Sequence, residues 1–346
     1  MTRYLLTTFF VSGAVAIALT PLIRKIALDL GIVDRPGGRK VHRKNMPTLG
    51  GIAIAVGFFV GLLVTICFIP PYVMEEFSLN FIGLCIGSAI IIILGAFDDV
   101  KILKARLKFF VQIIAALILI GCGFRVEKVT IPLMGSFSIG IFGLFFSILW
   151  IVGITNAINL LDGLDGLAAG VSGIASFFIF LSAIDQREYV IAFLAFALVG
   201  ACVGFLPFNF YPAKIFMGNS GSMFLGFILS AIAMASFQKS RTIITLSIPV
   251  IALGLPIIDT SLAIFRRFVK RRPIFQPDKE HVHHQLLFRD ESQRRVVLSL
   301  YFLSTCFGLI ALSFRGIKGL YAIIALFLVV LVTYKWMKDS GFLEFR

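Results

Sequence analysis

The chain is divided into about eleven apolar runs by short polar loops, and this pattern limits its fold more than any single motif does. A helix needs about 20 mainly apolar residues to cross the hydrocarbon of a bilayer. Runs of that kind lie near 4–23, 50–69, 79–97, 108–123, 139–158, 167–184, 189–206, 220–237, 242–265, 295–314 and 320–336. Inside lipid the backbone must satisfy its own polar groups, which selects helices. Composition agrees: of 346 residues 59% are hydrophobic and only 14% charged, against about 25% charged in soluble domains. The sequence therefore predicts an all-α integral membrane protein with about eleven transmembrane helices. It reads as a single polytopic domain over 1–346, with one long basic loop at 266–295. Pro249 and Pro256 fall inside the ninth run, so a kink or break is expected there. The first run follows Arg3 with no small-residue cleavage site after it, and reads as the first span. All five cysteines lie in apolar runs with no CxxC pair, and read as small packing residues.

Charge sets the orientation. Alternate loops (21–49, the turn after Phe97, 159–166, 207–219, 266–295 and the C-terminus) hold 24 of the 32 Lys and Arg residues. By the positive-inside rule these loops face the cytoplasm. The N-terminus is then outside and the C-terminus cytoplasmic. The net charge of +14 thus reads as topology, and nucleic acid is not an expected partner.

Charged and polar residues near membrane depth are costly and point to function. Asp98 and Asp99 end the third run, where two adjacent carboxylates oppose the helix dipole and repel each other. Lys101, Lys104, Arg106 and Lys108 follow closely and are the candidates to compensate them. The stretch NAINLLDGLDGLAAG carries Asn156, Asn159, Asp162 and Asp165, three apart throughout, a spacing that keeps neighbours near one helix face. Its glycines permit a break or close approach by a ligand. FMGNSGSMFLGF, 216–227, is a Gly-Ser turn opening a helix, whose free N–H groups suit an anion. The 266–295 loop starts with Arg266 and Arg267 and includes His281, His283 and His284. Clustered histidines can bind zinc. With no cysteine nearby and basic neighbours, they fit a phosphate better. These groups, and His42 in the basic first loop, share the cytoplasmic face in this topology. Carboxylates, carboxamides and cations on one face suit a magnesium-dependent site for a phosphorylated substrate.

The motifs, in order, resemble those of the polyprenyl-phosphate N-acetylhexosamine-1-phosphate transferases, most closely the bacterial undecaprenyl-phosphate GlcNAc-1-phosphate transferases. They are PTLGG, FDD followed by Lys108 and Gln112, NAINLLDGLDGL, FMG-x-SGSMFLG and PDKEHVHH, and they cover nearly the whole chain. The resemblance implies a bacterial inner-membrane, multi-pass enzyme with its active site on the cytoplasmic face. It would transfer GlcNAc-1-phosphate from UDP-GlcNAc to undecaprenyl phosphate in a cell-envelope pathway such as lipopolysaccharide or teichoic acid synthesis. It implies Mg2+ as cofactor, with Mn2+ able to substitute, membrane lipid as partner, and a homodimer, since family members often pair. Asp98 and Asp99 match the catalytic pair, and Asn159 and position 219 match metal-binding positions. Asp165 matches a nucleotide-recognising position; Lys108, Asn156 and Asp162 join it in substrate binding. Arg266 or Arg267 with His281, His283 and His284 match the loop that grips the sugar nucleotide. One departure stands out: Asn219 occupies a position where the family has aspartate. It is either a natural variant with weaker metal binding or a change that silences the enzyme. Two alternatives are a phospho-MurNAc-pentapeptide transferase of peptidoglycan synthesis and, from another class, an anion transporter. The topology predicts that a single cysteine at position 188 reacts with an impermeant thiol reagent in intact cells. One at position 279 should not, and labelling there would reverse the orientation.

Overall fold

The computed structural model describes residues 1–35, 45–69, 78–126, 128–131, 135–239, 243–270, 286–287 and 292–313. They form a mostly helical bundle. In chain order the helices are α1 (Thr2–Asp29), α2 (Gly51–Ile66), α3 (Ser78–Val100), α4 (Ala105–Gly121), α5 (Gly140–Leu161) and α6 (Leu167–Asp185). Then come α7 (Tyr189–Asn209), α8 (Gly218–Lys239), α9 (Ile243–Ala252), α10 (Gly254–Val269) and α11 (Gln293–Ser313). Among the described residues seven of these (α1, α3, α5, α6, α7, α8 and α11) contain stretches long and apolar enough to cross a membrane. Large apolar side chains such as Phe10, Phe97, Phe110, Phe142 and Phe302 face outward. Such surface is unfavourable in water and suits hydrocarbon.

Several expectations change in detail. The runs at 50–69 and 108–123 fold as the shorter helices α2, 16 residues, and α4, 17 residues. The run at 242–265 is broken at Leu253 into α9 and α10. Pro249 and Pro256 explain the break, because neither can donate the helical hydrogen bond expected of its position. The eleventh run lies outside the described residues. Two antiparallel ladders also qualify the all-α expectation. β1 (Val33–Asp34) pairs with β2 (Met46–Pro47), and β3 (Lys128–Ile131) pairs with β4 (Gly135–Ser138). Both are short ladders between helices, where extended loop segments meet their backbone hydrogen-bonding needs by pairing.

Helix α8 is the axle of the bundle. Its membrane-length stretch is 83% buried, against 22% for α1, and it packs on α2, α3, α5, α6, α7 and α9. Two of these contacts require glycine. A Cβ on Gly51 would lie 2.0 Å from the Cα of Gly221, and one on Gly95 would lie 2.4 Å from the Cα of Ser220. Helices α2 and α3 thus meet the first turn of α8 backbone to backbone, the small-residue packing that membrane helices use in place of a hydrophobic drive. A second apolar core collects Leu161, Leu164 and Leu167 with Ile251, Leu255 and Leu300. Those three leucines anchor the turn between α5 and α6, and Asp162 and Asp165 between them stay half-buried.

Overpacking a well-filled contact costs about 1–3 kcal/mol. Gly95→Leu should therefore lower the thermal midpoint sharply or prevent recovery of monodisperse protein in detergent. Gly153→Leu, at an exposed helical position where an added Cβ meets nothing within 4 Å, should behave as the unaltered chain. Equal tolerance at both positions would rule out the tight α3–α8 contact.

Candidate active site

The first turn of α8 begins at Gly218, whose φ of +75° turns the chain into the helix. A helix N-terminus leaves backbone N–H groups without intrahelical acceptors. Here α3 supplies the acceptor: Asn219 N–H donates to Oδ1 of Asp99 at 2.7 Å, and Ser220 N–H donates to Oδ2 at 3.2 Å. The Ser220 hydroxyl adds a third bond to Oδ2 at 3.0 Å. The anion at this helix terminus is thus the chain's own Asp99. A Cβ on Gly218 would sit 2.4 Å from the Asp99 carboxylate, so glycine is required on steric as well as conformational grounds.

Asp98 is compensated separately. Buried at the end of α3, it accepts from Leu103 N–H at 2.8 Å through Oδ1 and pairs with Lys108 Nζ at 2.9 Å through Oδ2. Of the four nearby cations, Lys108 is the one that answers the aspartate pair, because the Leu103 bond folds the turn back and brings α4 alongside. Lys101, Lys104 and Arg106 are exposed.

Helix α5 joins the same end of the bundle. Asn156 and Gln112 of α4 exchange amide hydrogen bonds, with Asn156 Nδ2 donating at 2.7 Å. Asn159 Oδ1 accepts from the Ser222 hydroxyl of α8 at 2.7 Å. The even spacing of three does not keep all four polar residues on one helix face. Helix α5 ends at Leu161, and Asp162 and Asp165 lie in the turn that follows. Asp165 Oδ2 accepts from Ala213 N–H at 3.0 Å, tying that turn to the loop before α8. The PTLGG segment closes another side of the site. Gly50 and Gly51 donate backbone hydrogen bonds to Phe216 and Met217, and Phe216 donates back to Pro47.

Asp162 differs from its neighbours. It has no hydrogen-bond or ion-pair partner among the described residues. Burial, and then the fields of Asp99 and Asp165, push its carboxyl up to about 7. Three carboxylates with a common field and one of them unpartnered fit a cation. Among the described residues no three His, Cys, Asp or Glu side chains come close enough to chelate one. Magnesium keeps water and takes one or two carboxylates plus substrate phosphates, so a set of this size could hold it. The oxygens available for it are those of Asp162, with Asn159 and Asn219 from α5 and α8.

The structure therefore gathers Asp98, Asp99, Lys108, Asn156, Asn159, Asp165 and Asn219 near the start of α8 through several separate bonded links, with Asp162 among them through the fields of Asp99 and Asp165 rather than through a bond. Arg266 and Arg267 are buried on the last turn of α10, and α10 packs on α5 and α11. His281, His283, His284 and His42 lie outside the described residues. Sequence reasoning passed over Ser220 and Ser222, which bond Asp99 and Asn159, and Tyr301, whose hydroxyl reaches the Gly166 carbonyl. The two serines were legible as the hydroxyls of the Gly-Ser turn; nothing in sequence ties Tyr301 to a residue 135 positions away.

Comparison with known proteins adds to this geometry. Residues 81–237 match the family model described as glycosyl transferase family 4. The chain is 37% identical, over 94% of its length and 89% of the other, to a Bacillus subtilis (strain 168) protein named "Probable undecaprenyl-phosphate N-acetylglucosaminyl 1-phosphate transferase". It is 35% identical to the decaprenyl-phosphate N-acetylglucosaminephosphotransferase of Mycobacterium tuberculosis (strain ATCC 25618 / H37Rv), over 85% of this chain and 76% of that one. It is 32% identical to the undecaprenyl-phosphate alpha-N-acetylglucosaminyl 1-phosphate transferase of Pasteurella multocida (strain Pm70), over 81% and 78%.

The raised carboxyl of Asp162 gives a pH dependence with a definite sign. The folded chain holds that proton to about pH 7, whereas an unfolded chain releases it near 4. Stability is therefore lost as pH rises from about 4 to about 7. In EDTA, Asp162→Asn should match the unaltered protein's melting temperature near pH 4 and exceed it by pH 8. A difference that is constant across that range would show that Asp162 carries no such strain.

Proposed function

The chain belongs to glycosyl transferase family 4, and on that footing we propose that it transfers GlcNAc-1-phosphate from UDP-GlcNAc to undecaprenyl phosphate, releasing UMP. The observation that carries this reading is the network around the start of α8. Acidic, carboxamide and lysine side chains from α3, α4, α5 and the α5–α6 turn meet there. The names of the relatives support the sugar and the polyprenyl acceptor. They do not favour a phospho-MurNAc-pentapeptide donor or a transporter.

In the reaction an oxygen of the lipid phosphate forms a bond to the β-phosphorus of UDP-GlcNAc. The bond from that phosphorus to the bridging oxygen breaks, and its electron pair leaves with UMP. A phosphate monoester is already largely ionised at pH 7, so no side chain need take a proton from it. The difficulty is mutual repulsion of anions, and the protein's task is positioning and charge relief. Lys108, held by Asp98, offers a cation to the acceptor phosphate. Asp99 keeps the first turn of α8 in place, and with it Asn219. Asp165, held by Ala213, faces the nucleotide, and Asn156 orders the junction of α4 and α5. Arg266 and Arg267, with His281, His283 and His284 following in sequence, grip the donor's pyrophosphate. Asp162, Asn159 and Asn219 would hold magnesium, or manganese in its place. When bound, the ion supplies positive charge that lets the two phosphates approach.

The same reading makes this a bacterial inner-membrane protein of eleven spans, with the site facing the cytoplasm, where the sugar nucleotide is found, and with the chain pairing as a homodimer. The polyprenyl tail stays in the bilayer, which explains a site at one end of the bundle rather than at its midplane.

Asn219 sets the test. Carboxylate oxygens serve magnesium better than a neutral carbonyl oxygen. Asn219→Asp should raise the rate of UMP release at least about tenfold, equivalent to about 1.4 kcal/mol of barrier, and should lower the magnesium concentration needed. Equal rates of the two proteins across a magnesium titration would remove position 219 from the metal site. No UMP release from either protein with UDP-GlcNAc and undecaprenyl phosphate would reject the reaction itself.

A further inference from the structure

The turn from Asp162 to Gly166 is held at more than its Asp165 end. Tyr301, on α11, donates its hydroxyl to the carbonyl of Gly166 at 2.5 Å. Gly166 has φ +79° and forms the N-cap of α6, so its peptide ends the turn that carries both carboxylates. The ring lies against the first turn of α6: a Cβ on Gly170 would sit 2.0 Å from Cζ of Tyr301. Phe210, from the loop whose Ala213 bonds Asp165, packs beside it. A Cβ on Gly166 would meet Phe210 at 3.1 Å and the Tyr301 hydroxyl at 3.3 Å. The two rings are 6.4 Å apart.

The hydroxyl is not needed to satisfy the Gly166 carbonyl. That oxygen already accepts the first helical bond of α6, from Gly170 N–H at 2.9 Å. A phenol placed as its second donor adds direction: it fixes the plane of the 166–167 peptide, and with it the exit of the carboxylate turn. Among the described residues Tyr301 reaches no carboxylate itself. It stands on the helix that follows the basic loop in sequence, and α11 also packs on α9 and α10.

We propose that Tyr301 is a positioning residue for the transfer reaction, pinning the Asp162–Gly166 turn so that Asp162 and Asp165 are presented in one fixed arrangement to magnesium and nucleotide. The inference rests on the transferase reading above. Supporting groups of this kind, removed from around a metal site, typically change affinity or activity by 10–100-fold.

The test is Tyr301→Phe, which keeps the ring and its packing on Gly170 and removes the hydrogen bond alone. Amide exchange from Leu164 to Gly170, measured without substrate or metal, should speed up about tenfold while the melting temperature stays within a few degrees. The kcat for UMP release should fall about tenfold and the magnesium concentration for half-maximal rate should rise severalfold. KM for undecaprenyl phosphate should hold. Leu62→Ala, at a buried position of α2 in the other apolar core, is the comparison: it should lower the melting temperature and leave the magnesium dependence alone. Unchanged exchange in Tyr301→Phe would overturn the proposal, as would Leu62→Ala producing the same shift in magnesium dependence. Faster exchange in Tyr301→Phe, with no UMP release even from the unaltered protein, would keep the pin and reject the reaction.

Discussion

The bond between the Asp99 carboxylate and the first turn of α8 is the contact on which the rest of the site depends. Two neighbouring carboxylates at a helix C-terminus are an unfavourable start, because the helix dipole and each aspartate work against the other. The fold resolves this by sending the two charges to different partners. Asp98 takes a lysine and a backbone N–H; Asp99 takes the positive end of a second helix, 120 residues away in sequence. Charge-assisted bonds of this kind are short and stronger than neutral ones, and they fix α3 against α8 in both rotation and height. Gly95 and Gly218 make the approach sterically feasible.

Once that contact is made, the division of labour among the acidic groups follows. Asp98, Asp99 and Asp165 have hydrogen-bond partners, and Asp162 has none among the described residues. A site that must bring anions together benefits from keeping most of its own negative charge neutralised. The remaining unpartnered carboxylate is where the magnesium proposed above would attach, and the carboxamides nearby would add oxygen donors at no further electrostatic cost.

Much of this was legible in the sequence, and the limits are instructive. Apolar run length located the helices because lipid leaves the backbone few alternatives, and the two prolines marked the break between α9 and α10. The polar motifs identified Asp98, Asp99, Asn156, Asn159, Asp162 and Asp165 as a group, since each is costly where it stands. Their partners were not legible. The Gly-Ser turn read as a place for a ligand's anion, yet it holds Asp99, because a helix N-terminus accepts any carboxylate that the fold brings near. Spacing by three suggested a single helical face, yet α5 stops at Leu161 and the turn takes over. Tyr301 was invisible because a tyrosine in an apolar run looks like packing until its distant acceptor is known.

The break at Leu253 has a mechanical consequence. Arg266 stands 13 residues beyond it on α10, about 20 Å along the axis at 1.5 Å per residue. Each proline removes one donor from the ladder, and the joint keeps the bonds from Leu253 N–H to the Pro249 carbonyl and from Ile257 N–H to the Leu253 carbonyl, so it is weakened rather than cut. Over that lever, a change of about 10° at the joint carries the arginine end about 3 Å, roughly one hydrogen-bond length. The buried arginines therefore sit at the far end of an arm whose pivot packs, through Ile251 and Leu255, in the same apolar core as the leucines of the carboxylate turn, so the joint links the reach of the arginines to the seating of that turn.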